Sequence, residues 1–135
     1  MSQVQVTYDG DQHCTALSTK NGRTVALDCP VTKGEEFSPG SLVAAGLAGC
    51  MLISMATFSE RHGFDISGTR IDVDMSMRDK PETRIGAIDV TVHVSKDDLP
   101  EAARKSLEKA AAACPIKHSF RPDTKISMRV EFGSA

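Results

Sequence analysis

Four thiols punctuate this 135-residue chain, at Cys14, Cys29, Cys50 and Cys114. Cys114 falls in Ala113-Cys114-Pro115-Ile116-Lys117-His118, a Cys-Pro step at the start of an expected short helix. Backbone N–H groups at a helix start are unpaired and carry partial positive charge, which favours thiolate. Reactive cysteines are commonly made this way. Lys117 and His118 lie within the next turn, and His118 shares a helical face with Cys114 at i+4. The sequence therefore predicts a lowered thiol pKa at Cys114. The competing reading is a structural cysteine beside a solvated lysine and an ordinary histidine.

Cys50 lies in the small-residue apolar run Leu42-Val-Ala-Ala-Gly-Leu-Ala-Gly-Cys-Met-Leu-Ile-Ser-Met-Ala56. Its helical neighbours are Gly46, Leu47, Ile53 and Ser54, and no base or cation is close in sequence. Gly46 and Gly49 leave room for a backbone or a substrate to approach. A cysteine here is either a small hydrophobe or a nucleophile held away from bulk water. Cys14 and Cys29, in strand and strand-end positions, read as structural. No CxxC pair occurs, and the spacings match no zinc pattern. A zinc set drawn from His13, Cys14, Cys114 and His118 has no motif behind it, so no metal site and no cofactor are expected.

Composition narrows the class. With 40% hydrophobic and 25% charged residues the chain has an ordinary globular balance and can build one core. A net charge of −2, without a Lys/Arg cluster, gives no electrostatic footprint for nucleic acid. One tyrosine, five phenylalanines and no tryptophan leave no base-stacking platform. The start, Met-Ser-Gln-Val-Gln-Val, lacks a basic and apolar signal pattern, so the expected location is the reducing cytosol. Disulfides there are more often catalytic than structural. From Phe37 to Ser59 no charge occurs, a run long enough to span a bilayer. Its serines, glycines and Pro39 dilute it, and a helix apolar all round reads as the buried centre of a globular protein or oligomer. No membrane partner is expected.

The elements that must position these residues follow from pattern. Val4 to Tyr8, His13 to Ser18 and Arg23 to Leu27 read as a β-meander, joined at Asp9-Gly10-Asp11 and Lys20-Asn21-Gly22. Ser38 caps and Pro39 opens a long helix that runs to about His62, with Gly63 as its stop. Ile71 to Met77 and Ile88 to Val94 alternate apolar and polar, as in an antiparallel sheet covered on one face. Asp97 or Asp98 should cap a helix from Pro100 to Ala113. Pro115 to Phe120 should form a short second helix. Ile126 to Phe132 makes the last strand. Runs of strands broken by helices give an α+β class, read as one domain over residues 1–135.

The paired motifs resemble the OsmC/Ohr family of thiol-dependent peroxidases. That family carries one cysteine inside a long central helix, here Ser38-Pro39-Gly40-Ser41-Leu42 through Cys50. A second cysteine lies in a later Cys-Pro step, here Cys114-Pro115-Ile116-Lys117. The resemblance spans the whole chain and includes the order of elements. It implies an intertwined homodimer with its active sites at the interface. It also implies Cys50 as the peroxidatic thiol, which attacks an organic hydroperoxide, and Cys114 as the resolving thiol. A dithiol of lipoyl type would be the reductant. Family members also keep an arginine in the N-terminal region and a glutamate just after the Ser-Pro step. Here that second position is Gly40, followed by Ser41, and the nearest carboxylates are Glu35 and Glu36. Arg23, Glu36 and His118 are the candidate activators. The alternative function is a binding protein on the same fold for a small apolar or thiol-reactive ligand.

Overall fold

The computed structural model describes residues 2–133, in two compact units divided after Val43. The first unit carries β1 (Val4–Gly10), β2 (His13–Ser18) and β3 (Thr24–Asp28) as an antiparallel sheet in the order β1-β2-β3. The Asp-Gly turn is strained in the expected sense. Gly10, Asp11 and Gln12 all take positive φ (94°, 53° and 63°), and the register shifts between Tyr8 and Gly10. Cys14 faces Tyr8 on one side and Leu27 on the other, while His13 pairs with Asp28. The chain after β3 loops back, so that Phe37 bridges Leu27 and its carbonyl accepts the Asp28 N–H at 3.0 Å.

The long helix α1 spans Pro39–Arg61. Ser38 caps it as expected, its Oγ accepting the Ser41 N–H at 3.0 Å. Gly63, at φ +76°, ends it, and the Phe64 N–H closes on the Ser59 carbonyl at 3.1 Å. The helix starts in the first unit and continues through the second.

In the second unit, β4 (Arg70–Arg78), β5 (Arg84–Val94) and β6 (Lys125–Phe132) form a sheet in the order β4-β5-β6. The alternating pattern holds: Ile88, Val90, Val92 and Val94 are all buried. β4 and β5 are antiparallel, but β6 runs parallel to β5, with Val90 facing Met128. The reason is the crossover between them: α2 (Glu101–Ala112) carries the chain back to the end where β5 began.

Two local expectations are corrected. No side chain caps α2. Pro100 holds the cap position, and the Asp97 and Leu99 carbonyls instead accept the Arg104 guanidinium at 2.8 and 3.1 Å. The helix expected at Pro115 to Phe120 shrinks to a single 3-10 turn at Lys117–Ser119. Ser119 Oγ takes the Pro115 carbonyl at 2.9 Å, and its N–H reaches only as far as Ile116, at 3.0 Å.

The core of this unit joins Leu47, Met51 and Met55 of α1, the four β5 residues, Leu107 and Ala111 of α2, and Cys114. The α1 contributors recur at every fourth residue, so one stripe of the helix faces inward. Each fully buried aliphatic side chain contributes about 1.5–3 kcal/mol. By length and composition α1 could cross a bilayer. Its other faces leave Val43 and Ile53 exposed, Ile53 at 69%.

Candidate active site

Cys50 and Cys114 meet inside the second unit. Cys50 stands on α1 beside the Leu47–Met51 stripe and is half-buried. Cys114 lies just past the end of α2 and is fully buried. The backbone locks that second position. The Cys114 N–H contacts the Ala111 carbonyl, and its own carbonyl accepts the His118 N–H, both at 3.4 Å. Both thiols are free, and each acts on the ionisation of the other.

The electrostatics divide the pair. The Cys114 S–H, donating to the Cys50 sulfur, holds the Cys50 thiol below its ordinary pKa. The Ile116 N–H adds to this, burial opposes it, and the Ser54 hydroxyl one helical turn along contributes least. Cys114 moves the other way. Burial pushes its thiol up, and the bond it donates to Cys50 holds its proton in place. The Lys117 and Ile116 N–H groups offset this only in part. The expectation of a lowered pKa at Cys114 is therefore reversed. The backbone donors of the Cys-Pro step do exist, but burial of Cys114 outweighs them, and the thiolate they favour is Cys50. The two shifts run in opposite directions, which makes Cys50 the more acidic sulfur of the pair.

His118 is exposed and reaches Cys114 only through its backbone N–H. Arg23 and Glu36 belong to the first unit. The Arg23 N–H bonds Asn21 Oδ1 at 3.0 Å, and its side chain lines a groove with Val4, Leu17 and Val25. The Glu36 N–H bonds the Asp28 carboxylate at 3.1 Å. Of the groups that act on Cys50, Cys114 and Ser54 were named from the sequence and the Ile116 N–H was not. Ser54 was visible as an i+4 neighbour. The Ile116 N–H is backbone and has no residue-type signature.

Cys14 and Cys29 share one face of the first sheet. With Val6, Tyr8 and Leu27 they line an open cavity of about 520 Å³. Cys29 also heads a Cys-Pro step. The Thr32 hydroxyl, with the Thr32 and Val31 N–H groups, pulls its thiol pKa down.

The profile of the OsmC-like protein family matches residues 32–129, a stretch that contains both Cys50 and Cys114. Among solved structures, a Psychrobacter arcticus protein described as an osmotic stress induced and detoxification response protein superposes with a TM-score of 0.90. It is 29% identical, over 97% of this chain and 96% of that one. The OsmC-like protein of Mycoplasma pneumoniae (TM-score 0.82, 19% identity, 98% and 96% coverage) shares the fold. So does the organic hydroperoxide resistance protein OhrB of Bacillus subtilis (0.70, 19%, 96% and 98%). No curated protein sequence matches. With a family profile covering most of its length and a fold shared from end to end, the chain belongs to the OsmC-like protein family.

Proposed function

We propose that this protein is a cytoplasmic thiol peroxidase that reduces organic hydroperoxides, with Cys50 as the peroxidatic and Cys114 as the resolving cysteine. The observation that carries the reading is the thiol pair with its opposed pKa shifts. The Cys50 thiolate attacks the terminal peroxide oxygen. The O–O bond breaks, Cys50 becomes a sulfenic acid, and the alkoxide leaves as the alcohol after taking a proton. Cys114 then attacks the Cys50 sulfur. An S–S bond forms, the sulfenic oxygen departs as water, and two electrons from an external dithiol of lipoyl type reopen the disulfide. An apolar lining would favour an alkyl hydroperoxide over hydrogen peroxide, because it rewards the organic tail. The 1–135 chain acts as one OsmC-like domain within a homodimer.

The test is consumption of cumene hydroperoxide with dihydrolipoamide. Wild type turns over, Cys50→Ser loses activity at least a hundredfold, and Cys114→Ser accumulates a sulfenic acid that dimedone traps. Unchanged turnover in Cys50→Ser would exclude the mechanism. The cavity of about 520 Å³ over Cys14 and Cys29 favours a second reading, a binding protein for a small apolar or thiol-reactive ligand. Absence of turnover in the wild type, with saturable binding of an apolar probe, would put that reading first.

A further inference from the structure

His13, Asp28 and Glu35 bring three potential ligand atoms within 4.8 Å of one another in the first unit. The register of β2 and β3 sets His13 opposite Asp28, and the loop after β3 returns Glu35 to them. His13 Nδ1 lies 2.8 Å from the Asp11 carbonyl and donates to it, which leaves Nε2 as the nitrogen with the free lone pair. That nitrogen stands 3.5 Å from Asp28 Oδ2 and 3.3 Å from Glu35 Oε1.

Those distances are long for charge-assisted hydrogen bonds, which run about 2.7–2.9 Å. The two distances from Nε2 do match edges of a tetrahedron around a small cation, since bonds of about 2.0–2.2 Å give edges of about 3.3–3.6 Å. A second observation points the same way. The Asp28 side chain is wholly buried. Its Oδ2 accepts the Glu35 and Glu36 N–H groups at 2.8 and 3.1 Å, while Oδ1 has no partner. A buried carboxylate oxygen without a partner is costly, and a cation held by both Asp28 oxygens would remove that cost. Charge fits as well. Asp28 and Glu35 bring two carboxylates to the site, and Lys33 beside them is engaged by Asp11 at 2.7 Å.

We propose that His13, Asp28 and Glu35 form a binding site for one divalent first-row transition-metal ion of the Zn²⁺ type, tying the loop ahead of α1 to the edge of the first sheet. The one-nitrogen, two-oxygen set suits such an ion, and three protein ligands leave a fourth position for solvent. The Asp11 carbonyl orients His13, and two backbone N–H groups orient Asp28.

Co²⁺ reports both geometry and ligand type, and it separates this site from the four thiols. Chelator-treated full-length protein is titrated with Co²⁺ and then with Zn²⁺. The proposal expects one equivalent per chain, with visible bands of four-coordinate cobalt, no sulfur-to-cobalt charge transfer, and displacement by Zn²⁺. His13→Gln and Glu35→Gln should each weaken binding at least tenfold, and Cys14→Ser and Cys29→Ser should leave it unchanged. Glu35 is exposed, so Glu35→Gln remains informative if His13→Gln folds poorly, and circular dichroism checks both. Absence of saturable binding, a thiolate charge-transfer band, or undiminished affinity in Glu35→Gln would each overturn it.

Discussion

A thiol becomes a nucleophile when its neighbours favour the charged form, and at Cys50 three donors do so: the Cys114 S–H, the Ile116 N–H and the Ser54 hydroxyl. Cys50 alkylation should therefore have a pH midpoint below that of an unperturbed thiol. Cys114→Ala removes the largest contributor and should move the midpoint up, and Ser54→Ala should move it up by less. Iodoacetamide rates across pH 5–10 measure both. The sign is that of a depressed acid: the thiolate is present above the folded pKa, and reactivity falls as pH drops through it. A midpoint unmoved in Cys114→Ala would show that the second sulfur does not activate the first. The two cysteines were legible in the sequence from their motifs. The direction of their pKa shifts was not, because burial of Cys114 depends on how α2 packs against β5 and α1.

Among the elements, alternation in β4, β5 and β6 identified the strands and their inward faces except at Met77, which is exposed past a register shift, and Ser38 and Gly63 marked both ends of α1. The direction of β6 was hidden, because residues alternate identically in parallel and antiparallel pairs. Only the helical crossover after β5 carries that information. The missing α2 cap has a similar origin. Asp98 was available, but its carboxylate goes to Lys96 at 3.2 Å and the chain reaches the helix through Pro100. Gly63 permits an element-level test. At φ +76° an alanine is strained although nothing lies within 4 Å of the added carbon. Gly63→Ala should cost about 1 kcal/mol in urea denaturation, with the slope unchanged.

At the scale of the whole molecule, α1 leaves Val43 and Ile53 uncovered, and β1 shows Val4, Val6 and Tyr8 at 57–62% exposure. Apolar surface of this extent fits burial against a second copy. Sedimentation should give a species of twice the 14.5 kDa chain mass, and Ile53→Glu should shift it toward the monomer. A wild type that sediments as a monomer at micromolar concentration would remove the homodimer from the proposed function.

The contact between Cys50 and Cys114 also joins points 64 residues apart along the chain. A covalent link there would cross-link nearly half the polypeptide and restrict the unfolded ensemble, a loop-closure effect of about 4 kcal/mol. Peroxide would then leave a mechanical trace as well as a chemical one. The oxidised protein should melt well above the reduced protein, until a dithiol returns it to the softer state. Calorimetry of the two forms, with Cys114→Ser as the variant that cannot close the loop, reads that difference directly.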